Sequence, residues 1–312
     1  MNKVMRMFKK LVLLFLVSMG LLITNSSLAQ QIPQYTQYMF NNFITNPGVA
    51  GTNNFYQMKL NNRYQWTGIN DAPQTFSMSV FGPHSKKDMG FGASAYMDVT
   101  GPTSKLGLMG SYAYNIRINA DMRISGGLSF GFMQYKVDGS KLTLGENFNP
   151  SQPVDPAILQ STKSVFTPDA SIGFYLYSRI YFVGLSMHQL FGQKLKLYPD
   201  PIDDNRLRQH IMLSGSYRVA LTREYELEPA LLLKYMFSSP MQVEVNAKVT
   251  YRRQVWGGLS YRYNDGMALL IGYNHKNKYQ FGYSFDWSLT TIGHYQSGTH
   301  EIMIGYMFDK IK

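Results

Sequence analysis

The sequence predicts an all-β protein: an antiparallel transmembrane β-barrel of about fourteen strands, preceded by a cleaved N-terminal signal peptide and a short lead-in. Three observations carry this. In Lys278–Ser288, Tyr279, Phe281, Tyr283, Phe285 and Trp287 alternate with Gln280, Gly282, Ser284, Asp286 and Ser288. An extended strand sends successive side chains to opposite faces, so this segment has one aromatic face and one small or polar face. The same alternation recurs in Met241–Thr250 and Glu301–Phe308. Aromatic residues reach 14% against only 16% charged, with 27 Gly, a balance that favours strands over long helices. Beyond the N-terminus no stretch is apolar for about 18 residues, so only a closed barrel could cross a bilayer.

The N-terminus reads as an address. Lys3, Arg6, Lys9 and Lys10 precede the apolar run Leu11–Ile23, and Ser27-Leu28-Ala29 offers small residues for cleavage. Residues 1–29 are therefore expected to be removed as a signal peptide, which lowers the formal charge from +11 to +7 by taking away four positive charges and no negative ones. The remaining basic residues scatter through turns and strands instead of clustering, which argues against a nucleic-acid partner. The chain has no Cys, so an exported product carries neither disulfides nor a lipid-modified cysteine.

Residues 30–54 lack sustained alternation and form a lead-in or plug segment, expected to be ordered with one helical turn near Gln37–Asn42. Asn46-Pro47-Gly48 with Gly51 reads as turn chemistry. The barrel is assigned to 55–312. Its expected strands are Phe55–Trp66, Gln74–Gly82, Met89–Asp98, Lys105–Arg117, Met122–Val137, Pro168–Ser178, Arg179–Leu190, Gln209–Val219, Glu226–Phe237, Met241–Tyr251, Gln254–Tyr263, Gly266–Asn274, Lys278–Ser288 and Thr299–Phe308.

Alternation alone does not say whether the apolar face meets a soluble core or lipid, and a soluble secreted sandwich or closed barrel is the competing architecture. Three features favour lipid. Glu244, Lys248, Arg262 and Asp286 fall mid-strand on the opposite face, as a wet lumen allows. Tyr and Trp gather near strand ends, as in interfacial girdles. The long connections Asp138–Thr167, Phe191–Arg208 and Leu289–Gly298 all follow odd-numbered strands, and therefore share one end of an antiparallel barrel.

Catalytic and metal signatures do not emerge. None of the six histidines falls in a metal-ligand spacing, and there is no HExxH, no nucleophile elbow and no P-loop. No cofactor is expected, and the reading points away from an enzyme, with His188 on a predicted strand the one residue that keeps catalysis in view.

Four short blocks remain: Gln34-Tyr35-Thr36-Gln37-Tyr38-Met39-Phe40-Asn41; Thr45-Asn46-Pro47 with Ala50-Gly51; Arg63-Tyr64-Gln65-Trp66-Thr67-Gly68-Ile69; and Ala72-Pro73-Gln74-Thr75. Their order and spacing resemble the opening of the PorP/SprF family, outer-membrane proteins of the type IX secretion system. The resemblance implies an outer-membrane β-barrel that works in the export of proteins with a C-terminal secretion signal, in some bacteria together with gliding adhesins. It implies as partners the periplasmic ring of the secretion machine, peptidoglycan-binding linker proteins and the C-terminal signal domain of a secreted client. It nominates Tyr38, Phe40, Asn46, Pro47, Gly51, Arg63, Trp66, Gly68 and Pro73 as motif or partner-contact residues. Gly48-Val49 departs from the pattern, which has Ala and an aromatic there, and this puts an identical partner in doubt. Arg63 and Trp66 admit a second reading as anchors of the first strand at the membrane interface. Asn46, Pro47 and Gly51 admit one as shapers of the turn into the barrel, and Pro73 one as an ordinary loop proline. Two functions compete: a barrel that docks clients and meets the periplasmic machine, or a general porin for small solutes.

Overall fold

A computed structural model describes residues 32–141, 162–197, 206–237 and 239–308. The expected signal peptide lies outside the described residues, as do parts of the two longest loops. The strands are β1 (Tyr56–Tyr64), β2 (Gln74–Pro83), β3 (Met89–Thr100), β4 (Thr103–Arg117), β5 (Arg123–Asp138), β6 (Thr162–Tyr177), β7 (Tyr181–His188), β8 (His210–Tyr217), β9 (Val219–Ala220), β10 (Tyr225–Met236), β11 (Gln242–Tyr251), β12 (Val255–Arg262), β13 (Gly266–His275), β14 (Tyr279–Ser288) and β15 (Thr299–Phe308). Neighbours pair antiparallel in sequence order, and β1 pairs with β15 to close the cylinder. Among the described residues no helix is long and apolar enough to cross a membrane.

Fifteen segments make fourteen staves, because β8 and β9 are two pieces of one. β8 pairs with β10 from Ala230 to Met236 and β9 pairs with it at Glu226 and Leu227. The break falls opposite Pro229. Leu221 and Thr222 donate to the Tyr225 carbonyl, so odd-numbered residues of β10 turn their backbone groups toward this neighbour, and Pro229 has no N–H to offer the ladder.

Proline also explains the largest boundary difference. The sequence places the start of the sixth strand at Pro168, but β6 begins at Thr162 and pairs with β5 along its whole length. Ala170 turns its carbonyl toward Leu190, on the β7 side, so Pro168, two residues earlier, directs its nitrogen the same way. Pairing with β7 starts only at Ile172, and the missing donor costs no ladder bond.

Burial is inverted relative to a soluble protein. Leu128, Phe130 and Phe132 on β5 are 57%, 55% and 57% exposed, while Lys59, Arg63 and Glu301 are 1%, 2% and 0% exposed. Apolar side chains on the outside of a closed wall are stable only against a nonpolar solvent. The outward face is the lipid face, and the competing soluble architecture is set aside.

The interior is occupied by residues 32–54. Two 3₁₀ turns, Tyr38–Phe40 and Pro47–Val49, flank a single α-helical turn at Asn42–Thr45. Tyr35, Tyr38, Met39, Phe43, Val49 and Ala50 are buried among inward-facing side chains of the wall. The helical turns follow the expected position, extended toward β1. Glycines of the wall admit this close approach. A Cβ on Gly127 would lie 2.5 Å from Pro47 and Gly48 backbone atoms, and one on Gly90 2.2 Å from the Ala50 carbonyl oxygen.

Candidate functional site

The lead-in descends through the lumen from one end to the other, and its surroundings form three levels. One end carries the long connections, with 139–161 and 189–209 the longest; the other carries short links at 84–88, 118–122, 178–180, 221–224, 252–254 and 276–278. Transmembrane barrels keep long loops on the extracellular side, so the short links face the periplasm.

At the long-loop end, Thr67 in the β1–β2 connection donates its N–H to the Gly298 carbonyl and accepts from the Ser297 N–H, joining this loop to the β14–β15 connection. Trp66, in a left-handed conformation (φ 51°), gives its N–H to Thr299 Oγ1 at 3.0 Å. Gly68 (φ 97°) supplies the turn that follows, and Gln65 donates to the Pro73 carbonyl. Trp66, Gly68 and Pro73 therefore build a rim clasp over the seam between the first and last strands.

The second level is a buried ion network beneath that clasp. Register sets Arg63 of β1 opposite Glu301 of β15, and Glu244 of β11 opposite Arg262 of β12. Arg63 contacts Glu301 at 3.1 Å and Asp286 at 2.8 Å, and Arg262 contacts Glu244 at 3.2 Å and Asp265 at 2.8 Å. Charges in a low-dielectric interior need partners and saturating hydrogen bonds. The lead-in supplies them. Thr36 and Gln37 donate backbone N–H groups to the Glu301 carboxylate at 2.7 and 3.2 Å. The Thr36 hydroxyl donates to Asp286 at 2.6 Å and accepts from Arg63 and Arg262. Asn246 donates to the Tyr38 phenol at 2.7 Å.

Lower down, Asn46 fastens the lead-in to the opposite wall. Its Oδ1 accepts from the Gly48 N–H at 2.8 Å, and its Nδ2 donates to the Phe174 and Leu185 carbonyls. Pro47 begins the second 3₁₀ turn, and Gly51 (φ 75°) turns the chain beside Gly90. Ser186 Oγ and His188 Nε2 meet the Thr45 carbonyl, and His188 Nδ1 lies 3.1 Å from Ser171 Oγ. His188 thus tethers the lead-in.

The third level is the short-turn mouth. A cavity of about 710 Å³ opens there beneath Met39 and Phe40, and a neighbouring hollow of about 610 Å³ shares Phe40, Arg218, Glu228, Lys248 and Gln280 with it. Phe40 stacks on Trp256 with ring centroids 4.0 Å apart, and Lys248 Nζ lies 4.8 Å from the centroid of the Phe40 ring. Among the described residues no group of three or more His, Asp or Glu could hold a metal ion.

The structure gathers Tyr38, Phe40, Asn46, Pro47, Gly51 and Arg63 in the lumen and leaves Trp66, Gly68 and Pro73 at the long-loop rim. Arg63 is not an interfacial anchor: its guanidinium is enclosed by Asp286, Glu301 and Thr36. Glu301, Lys59 and the tethering role of His188 were not singled out from sequence. The available signal was a charged or polar residue on the small face of an alternating strand, which says inward but not against what.

A family model described as type IX secretion system membrane protein PorP/SprF matches residues 27–306. Among curated proteins no sequence matches significantly. The fold is similar to that of the toluene transporter TbuX of Ralstonia pickettii, at 7% identity and a TM-score of 0.50, covering 86% of this chain and 93% of that one. A FadL homologue of Pseudomonas aeruginosa aligns at 11% identity and a TM-score of 0.46, covering 82% and 90%. Omp33 of Acinetobacter baumannii aligns at 8% and 0.45, covering 81% and 99%. The likeness to TbuX speaks to barrel architecture alone.

Proposed function

The chain belongs to the PorP/SprF family of type IX secretion system membrane proteins, an outer-membrane barrel of that export machinery, and from this premise we propose that it receives and anchors secreted clients at the cell surface without conducting them. The observation that carries the reading is the lead-in. Residues 32–54 are held in the lumen by Glu301, Asp286, Arg63 and Asn246 above and by Asn46 and Thr45 contacts below. A lumen filled by its own chain suits a docking barrel better than a passage for a polypeptide. The segment then acts as a plug. The long loops after β5 and β7 offer the client's C-terminal signal domain a surface, and the short turns face the periplasmic ring and its peptidoglycan-binding linkers. A role in gliding motility follows where the client is a surface adhesin.

The test compares surface and culture-fluid proteins by mass spectrometry between the parent strain and a clean deletion. Loss of one or a few proteins with related C-terminal domains supports a dedicated docking barrel. Broad loss makes it a general part of the machine, and an unchanged set, with those clients detectable, favours a small-solute porin.

A further inference from the structure

The short-turn mouth has a charge imbalance that the barrel itself does not resolve. Glu228 is shared by two cations, Lys248 at 3.0 Å and Arg218 at 3.5 Å. Lys59, 1% exposed and lining the same cavity, bonds to Gln280 Oε1 and has no carboxylate partner among the described residues. Around this recess Lys59, Arg123, Arg179, Arg218 and Lys248 thus face two carboxylates, Asp121 and Glu228. The wall also contains an unspent donor: the indole N–H of Trp256 is buried with no acceptor among the described residues. Buried polar groups in folded proteins are almost always paired, and those left over mark what is missing.

The surrounding mouth has the same sign. The six short turns hold eight basic and three acidic residues, with at least one cation on five of them, including Lys87, Arg179, Arg223, Arg253 and Lys276. Arg123–Asp88, Arg179–Asp121, Arg252–Glu224 and Arg253–Glu226 pair off part of this charge, and the positive excess that remains in a concave mouth draws in the opposite sign. A small inorganic anion would meet the cations, but two features ask for more. Asn274 Oδ1, in the same hollow, is a buried acceptor without a donor among the described residues. The stacked Phe40 and Trp256 provide an apolar wall beside it. A backbone N–H, a carboxylate and an aliphatic side chain together satisfy all three.

We propose that this recess binds an acidic peptide segment of a periplasmic protein, with a Glu or Asp carboxylate seated against Lys59 and Lys248 and the flanking residues packed on Phe40 and Trp256. The site deepens the proposed contact with the periplasmic side of the secretion machine, and rests on that reading only for which compartment supplies the peptide.

The experiment uses the purified barrel in detergent micelles and a dye-labelled, end-blocked peptide with two glutamates among leucine and alanine, read by fluorescence anisotropy. Its twin carries glutamines instead. The glutamate peptide is expected to bind at least tenfold more tightly than its twin, and Lys59→Met or Lys248→Met to weaken it at least tenfold. Arg218→Gln, at a side chain that is 49% exposed, is expected to weaken it several-fold, and serves if either buried-lysine variant does not fold. Equal binding of the two peptides, or unchanged binding in the folded variants, overturns the proposal. So does inorganic phosphate that displaces the peptide while binding as tightly, because the site is then a general anion site. The assay involves neither client nor export, so its failure leaves outer-face docking standing, and a negative export test leaves this binding intact.

Discussion

Arg63 and Glu301 face each other across the seam where the first and last strands close the barrel, 3.1 Å apart and both essentially removed from solvent. The same carboxylate accepts the backbone N–H groups of Thr36 and Gln37. One ion pair therefore joins barrel closure to the seating of the lead-in; without Arg63 the Glu301 carboxylate would be a buried, uncompensated charge, whereas Arg63 without Glu301 would keep Asp286 at 2.8 Å.

Replacing Arg63 by Met should destabilise the barrel by about 3–5 kcal/mol, the usual cost of orphaning one member of a buried pair, and Glu301→Gln by less, because Arg63 keeps Asp286 at 2.8 Å. The double replacement Arg63→Met with Glu301→Leu should cost less than the sum of its two single changes. Urea unfolding in detergent micelles, followed by tryptophan fluorescence, checks both. Additive losses would show that the pair is not energetically coupled.

Gly127→Val should unseat the lead-in while leaving the lipid face untouched. The new side chain begins 2.5 Å from the Pro47 and Gly48 backbone, and that backbone has no flexible end to move aside. Folded barrels of this variant should become sensitive to protease between residues 32 and 54, where the parent resists. Resistance equal to the parent's would mean that the wall yields instead.

In planar bilayers the intact protein should show no large open steps. Deleting residues 32–54 should produce them in those barrels that fold, because a cylinder of fourteen staves encloses more space than its own wall side chains fill. Large steps from the intact protein would restore the porin reading.

Leu128→Arg should cost about 2–4 kcal/mol, the penalty for a cation on the lipid face near mid-membrane. In a soluble barrel the same change, at a residue 57% exposed, would be close to neutral. Refolding yield and urea midpoints in lipid vesicles separate the two.

The turn Arg252-Arg253 carries both residues in the left-handed region, at φ 47° and 57°, where Asn-Gly is the usual choice. Changing the pair to Asn-Gly should stabilise the β11–β12 hairpin by about 1–2 kcal/mol, offset in part by loss of the exposed Arg252–Glu224 and Arg253–Glu226 pairs, which contribute little in water. A raised urea midpoint is the expected result, and a lowered one would show that these pairs outweigh the backbone strain.

Local chemistry was enough to read much of this protein. Alternation in Lys278–Ser288 marks a strand and its two faces without reference to anything distant, because the period of two is a property of the extended backbone. The same logic located the staves to within a few residues, except where proline misled: Pro168 reads as a strand start, and only the absence of a β7 partner there makes it harmless. Family blocks in 34–75 identified the chain's relatives, yet their residues divide between lumen and rim in a way that spacing does not encode.

By itself the sequence determined the class of fold and which residues share a face, since these depend on neighbours two positions apart, while observed burial turned the aromatic face to lipid. Only the tertiary structure decided what the inward residues meet. Register across the closing seam brings Arg63 to Glu301, 238 positions apart, and the path of the lead-in then chooses which buried charges it satisfies and which, like Lys59, it leaves for another partner. Those pairings depend on closing one cylinder, a long-range condition that no stretch of the chain carries alone.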